Sequence, residues 1–458
     1  MSMTRMFWRM TVLSCHLLLV TPADARGEGP RSTSQREETQ ELVEHLSGEL
    51  GLDEIPPERG GGYLVDTRFG NGCVQDMELL GSIERVRAFY FNDEFSSEGW
   101  ALLARHPGLE VLKCTGSGSI TDADLACLQK LTGLRELALE SEGERPNRFS
   151  ERSLEALPAM HRLERLVLEG EGVNDAGLDH VRRVTSLVSL KLAGRFTDEG
   201  VARLSGLKDL RVLVLRGEFT DEGLVHVAQL RKLEALVIWS DRLTGAGLSH
   251  LAGLDRLTML KFVGSRGGEM SLQGLEDWPA LEALNLASST TDDALLATLG
   301  ELPRLKSLSL QGASITDEGL AALSGLTSLE ELDLQFTNVT SQGIRYLLPL
   351  KGLRILVLGH PHGERLISDE GVRLLAKLPD LEQLNMVHAD LGGGRLQHLA
   401  QIKSLRNLNV EFKDEKMVED WKAFQALRPD IQRVQQWIRV KAFQPNFPTF
   451  GEIEVLRP

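Results

Sequence analysis

Cysteine is scarce in this chain, with four residues in 458, too few to knit a disulfide scaffold. Basic residues are outnumbered, 51 Lys and Arg against 66 Asp and Glu, which leaves a formal net charge of -15. That balance argues against a protein that grips nucleic acid or an anionic membrane through a general electrostatic footprint. Long apolar runs are missing too. The longest, Met10 to Val20, has 11 residues, against the roughly 20 that a membrane-spanning helix requires. No Gly-x-x-x-x-Gly-Lys-Ser/Thr loop, His-Glu-x-x-His helix or Gly-x-Ser-x-Gly elbow occurs anywhere, so the sequence does not indicate an enzyme and calls for no cofactor. What is present is a hydrophobic fraction of 42%, enough to bury a core.

The N-terminus has the layout of a secretory signal peptide. Arg5 and Arg9 precede the apolar run, and Ala23-Asp24-Ala25 supplies a small-x-small site before Arg26, so residues 1–25 are expected to be a signal cleaved after Ala25. An uncleaved anchor is the alternative. After cleavage no membrane span is expected, and the chain would be secreted, periplasmic or held at the cell surface. Cys73, Cys114 and Cys127 then remain, an odd number that leaves at least one thiol unpaired within the chain. Cys114 takes a position filled by leucine in most other repeats, which predicts a buried, inert thiol. Residues 26–61 form a polar leader and N-terminal cap with one helix-like run.

From Gly62 to Val434 one hexapeptide, Leu-x-x-Leu-x-Leu, organises everything. Clear copies begin at 134, 163, 187, 210, 281, 305, 329 and 353, with variants at 109, 233, 257, 381 and 405. Successive starts lie 23 to 29 residues apart, most often 24. Leucines two apart on a strand share one side, while the residues between them line the other. The return half, such as ITDEGLAALSGL at 315–326, places Leu320, Leu323 and Leu326 on one helix stripe. Thr316 is suited as N-cap, with Asp317 and Glu318 at the positive end of the helix dipole. Thr121-Asp122, Thr197-Asp198, Thr220-Asp221, Thr291-Asp292 and Ser368-Asp369 repeat the pair, which marks a cap requirement and not a catalytic set.

A unit of about 24 residues carrying this hexapeptide resembles the leucine-rich repeat superfamily. The phrase I-T-D-x-G-L is similar to its cysteine-containing branch, found in F-box type adaptors and in bacterial secreted and surface proteins. The column where that branch often has Cys or Asn holds Ser289, Ala313 and Thr337 here, and residues 26–61 contain no F-box-like segment. The resemblance implies an α/β leucine-rich repeat solenoid of about 13–15 units, with a curved parallel sheet on the concave side and helices on the convex side. Residues 435–458 would supply a C-terminal cap or tail. Trp421, Phe424, Trp437, Phe443, Phe447 and Phe450 are the aromatics available to seal that end.

Stacked units turn linear spacing into adjacency. The outward places of the strands at 210, 233 and 257 hold Val212, Val214, Arg216, Ala235, Val237, Trp239, Met259, Lys261 and Val263. Such an apolar stretch with an aromatic centre reads as a partner-binding surface, with Trp239 as anchor. Farther on the same columns turn polar, with Asn285, Ser309, Gln311, Asp333, Gln335, Asn385, Asn409 and Glu411. The seventh position after four consecutive starts gives a rim column of Phe336, His360, His388 and Phe412. His362 and Glu364 stand near it in an inserted loop. The column reads either as a stacked ladder closing the core edge or as a zinc site. The resemblance implies non-catalytic recognition of a protein, peptide or polysaccharide outside the cytoplasm. The rival readings are an envelope or matrix protein that self-associates, a metal-dependent hydrolase at the histidine rim, and an F-box-like adaptor.

Overall fold

A computed structural model describes residues 52–54, 63–66, 86–92, 97–116, 120–141, 146–264, 278–287, 291–300, 302–359, 367–387, 391, 394–410 and 415–433. The signal-like segment, Cys73, the tail beyond 433 and the rim residues His360, His362, Glu364, His388 and Phe412 lie outside the described residues.

Each hexapeptide forms a strand. In chain order these are β1 (Leu52–Glu54), β2 (Tyr63–Asp66), β3 (Val86–Asn92), β4 (Val111–Gly116), β5 (Glu136–Ser141) and β6 (Arg165–Asn174). Then come β7 (Ser189–Arg195), β8 (Val212–Arg216), β9 (Ala235–Trp239) and β10 (Met259–Val263). Seven short ones finish the series: β11 (Ala283–Asn285), β12 (Ser307–Ser309), β13 (Glu331–Asp333), β14 (Ile355–Val357), β15 (Gln383–Asn385), β16 (Asn407–Asn409) and β17 (Gln432–Arg433). All join one 17-stranded sheet. β1 runs antiparallel to β2, and from β2 onward every strand pairs in parallel with the next in sequence. The segments starting at 187, 210, 233 and 257 therefore lie side by side, as the spacing predicts.

The register keeps the leucine lattice intact. From Leu112 on β4 to Leu408 on β16, the fourth hexapeptide residue of each unit faces its counterpart in the next. These side chains are fully buried, each stabilising by about 1.5–3 kcal/mol relative to exposure. Return segments close the layer from the other side, as in the helix Asp317–Leu323, whose Leu320 and Leu323 are buried. At about 4.8 Å per strand, the parallel stack from β2 to β17 is on the order of 70 Å long. The chain is thus an α/β leucine-rich repeat solenoid.

The Thr-Asp pairs do more than cap. Thr197, Thr220 and Thr316 are N-caps, each hydroxyl accepting from a backbone N–H two residues on. The aspartate after the cap reaches into the following unit. Asp198 accepts from the backbone N–H and the hydroxyl of Thr220, both at 2.8 Å. Asp175 does the same for Thr197, Asp221 for Thr244, Asp293 for Thr316 and Asp317 for Thr340. Asp122 bonds Ser150 likewise. The recurring glycine of T-D-x-G follows from this bond. A Cβ on Gly223 would stand 2.7 Å from Asp198 Oδ1, and one on Gly200, Gly247, Gly319 or Gly343 would collide with Asp175, Asp221, Asp293 or Asp317. The pair Thr291-Asp292 is offset by one from expectation: Asp292 is the N-cap, accepting from Leu295 N–H, and Asp293 takes the joining role.

Two classes of unit differ by one residue. The 23-residue units at 187 and 210 place Phe196 and Phe219 in the core, stacked with centroids 5.8 Å apart, and Gly217 lets the Phe196 ring approach. In the 24-residue units at 305 and 329, Ile315 with Ala313 and Val339 with Thr337 fill that space. Their strands stop after three residues, because the next turn begins earlier.

Candidate binding surface

The sequence-predicted patch is assembled on the concave face of β8, β9 and β10. Arg216 pairs in register with Trp239, and Trp239 with Val263, forming one row; Val214, Val237 and Lys261 form the row beside it. Trp239 is 44% exposed, the largest hydrophobic side chain left open among the described residues. The guanidinium of Arg216 lies over its ring at 4.7 Å, an attraction that favours this placement of the indole. Val214, Val237, Met259, Lys261 and Val263 are half-buried, Arg216 is exposed, and Val212 and Ala235 are almost closed from solvent. The accessible patch is therefore narrower than the sequence columns suggest and centres on Arg216, Val237, Trp239 and Val263.

Toward the N-terminal side the face is charged. Lys113 Nζ lies 2.8 Å from Glu136 and over the Tyr90 ring, and Arg165 Nε donates to Glu136 at 3.1 Å. Lys191 reaches Glu169 at 2.9 Å and Glu140 at 3.6 Å. Burial would lower the Lys191 pKa, but the two glutamates outweigh it and hold the ammonium above its ordinary value. This network covers Ala138 and Val167, both buried on β5 and β6. The signal for this charged stretch lies in the same column arithmetic, which for the strands starting at 134 and 163 places Glu136 beside Arg165.

Toward the C-terminal side the polar columns differ from expectation. Asn285, Ser309, Asp333, Gln335, Asn385 and Asn409 are buried, not displayed. Asn285, Asp333 and Asn385 turn a side-chain oxygen back to accept from the backbone N–H two residues on, at 2.9, 2.9 and 3.1 Å. These residues end the three-residue strands. Asp333 is the only acid among those three, and burial pushes its carboxyl up to about 6 against the hydrogen bonds from Gln335 and Ser309.

Of the rim column only Phe336 is described. It is half-buried with φ 61°, and its N–H donates to Gly359 O at 2.8 Å. One unit earlier Gly312 takes the same turn with φ 73°, so this column is a left-handed turn position where a bulky residue is costly. Among the described residues no cluster of three or more His, Cys, Asp or Glu could hold a metal, and no helix is long and apolar enough to cross a membrane.

Residues 302–324 and 325–348 match the family model described as Leucine Rich repeat. Solved structures similar to the chain include an internalin from Listeria monocytogenes, 22% identical over 64% of this chain and 86% of that one, with a TM-score of 0.48. Another is an LRR protein of Leptospira interrogans, 16% identical over 79% of this chain and 98% of that one, TM-score 0.42. A third is TLR13 in complex with ssRNA13, 17% identical over 72% of this chain and 54% of that one, TM-score 0.43. No curated protein matches the chain.

Proposed function

We propose that this leucine-rich repeat protein is a non-catalytic binding scaffold that works outside the cytoplasm and holds a protein or peptide partner on the concave face of β8–β10. The observation that carries the reading is Trp239, left 44% exposed between Arg216 and Val263 on neighbouring strands. A large aromatic held open in water, pinned by a neighbouring guanidinium and flanked by aliphatic side chains, is the form of an interface anchor. Export rests on the signal-like residues 1–25.

Two measurements test it. Trp239→Ala should leave the melting temperature within about 2 °C, since an exposed side chain supports little packing, while abolishing capture of whatever extracellular protein the wild-type chain retains. Unfolding on that substitution, or capture indifferent to it, would refute the anchor. N-terminal sequencing of exported protein should begin at Arg26, and an intact Met1 on cytoplasmic protein would refute the location.

A further inference from the structure

The geometry points to the partner's chemistry: a peptide segment carrying an Asp or Glu side chain, or its own C-terminal carboxylate, beside an aliphatic or aromatic side chain. This rests on the reading of β8–β10 as the partner surface and adds what that surface selects. Arg216 is the determining residue. Its guanidinium carbon lies 4.7 Å from the centroid of the Trp239 ring, and the side chain is exposed to solvent. Among the described residues no carboxylate pairs with Arg216; the nearest acid in sequence, Glu218, is engaged by Arg242 at 3.9 Å. An exposed guanidinium seated beside an indole, with no carboxylate partner among the described residues, is suited to bidentate carboxylate binding.

The adjoining positions decide the rest. Trp239 and Val263 follow Arg216 along the row, and Val214 and Val237 lie beside it. A partner acid seated on Arg216 thus places its neighbour over aliphatic and indole surface. Adjacent strands are ~4.8 Å apart and an extended chain repeats its side at ~6.7 Å, so the acid and the apolar side chain belong about two residues apart. A sugar polymer is the poorer occupant. Beside the donors of Arg216 and Lys261, Val214, Val237 and Val263 offer hydroxyl groups no side-chain donor or acceptor, and burying unpaired hydroxyls against them is costly.

The test pans a random phage-displayed 12-residue peptide library on the full chain, then titrates synthetic peptides from the enriched pool with acid or amide at the acidic position. Enriched sequences should contain Asp or Glu two residues from Leu, Ile, Val or an aromatic. Acid-to-amide replacement should weaken binding at least about tenfold on the wild-type chain and hardly at all on Arg216→Gln, a coupling that a purely structural role for Arg216 cannot produce. Arg216→Lys, which keeps charge but loses the planar fork, should recover only part of the preference. Acid and amide peptides that bind equally, yet fail on Trp239→Ala, would overturn the carboxylate inference and leave the surface standing. An acid preference that survives Arg216→Gln would overturn the assignment to this residue. If no peptide is enriched, or if a panel of uronic-acid oligosaccharides binds in a Trp239-dependent way, both the inference and the peptide-binding reading fall.

Discussion

Asp333 is an acid in a place built for an amide. Asn285 and Asn385 occupy the equivalent positions of other units and make the same strand-ending bond through a side-chain oxygen. An ionised carboxylate in that buried row adds a desolvation cost. Its pKa is raised from 3.8 to about 6. The folded chain therefore holds an extra proton across that interval, and stability that is complete below pH 3.8 is lost as pH rises through 6. Asp333→Asn should stabilise the protein at pH 8 by about 1–2 kcal/mol and flatten the pH dependence between those limits. Urea unfolding at pH 4, 6 and 8 reads both, and an Asn variant no more stable at pH 8 would show that the carboxylate is not penalised there. Cys114 and Cys127 are both buried, and burial pushes the Cys127 thiol up to about 12. Peptide mapping after alkylation should find both unmodified in native protein and labelled after denaturation. The Cys114 environment was legible because that residue falls on the leucine lattice. The burial of Asn285, Asp333 and Asn385 was not, since alternation assigns a face and cannot say that the side chain folds back onto its own turn.

At the level of the element, the repeated T-D-x-G phrase is one joint shared by two units. The threonine and the helix dipole could be read within a single copy, whereas the partner of each aspartate lies 22 or 23 residues away. A signal did exist: Gly200, Gly223, Gly247, Gly319 and Gly343 each follow an aspartate one unit earlier, and Gly247 and Gly343 persist where their own unit has lost the acid. Helix-interior glycine ordinarily costs about 1 kcal/mol relative to alanine, so Gly319→Ala would stabilise if the space were open. It is not open, because Asp293 Oδ1 occupies it. Gly319→Ala is expected to destabilise by about 2 kcal/mol, and Asp293→Ala by about 1–2 kcal/mol through the loss of both bonds to Thr316. The double variant should be no worse than Asp293→Ala alone, since the new methyl fills what the carboxylate vacates. Urea denaturation of the four proteins gives the coupling, and simple additivity would mean the two groups do not meet.

Across the whole molecule, a stack of units is only as sound as its ends. The helix Glu415–Leu427 buries Met417, Trp421 and Phe424 against the last unit. Arg428 then donates to the carbonyls of Ile402 at 2.6 Å and Leu405 at 2.8 Å, steadied by Asp430. Trp421 and Phe424 were legible as two of the aromatics available to cover the last leucine row; an arginine that satisfies terminal carbonyls leaves no periodic trace. Because contacts run only between neighbours, Arg428→Met should speed amide exchange at β15 and β16 while leaving β7 to β10 protected. Uniform loss of protection would instead show one cooperative block. The joint between units carries a further consequence for ancestry. One side of it is an aspartate and the other a glycine, so removing or copying a stretch of 23 residues among the units at 187 and 210 restores a matched seam wherever the break falls, and a stretch of another length does not. Crossing-over between copies within the gene can therefore lengthen or shorten the wall without redesigning a single seam, and the span available to a guest becomes a heritable quantity that changes in whole steps.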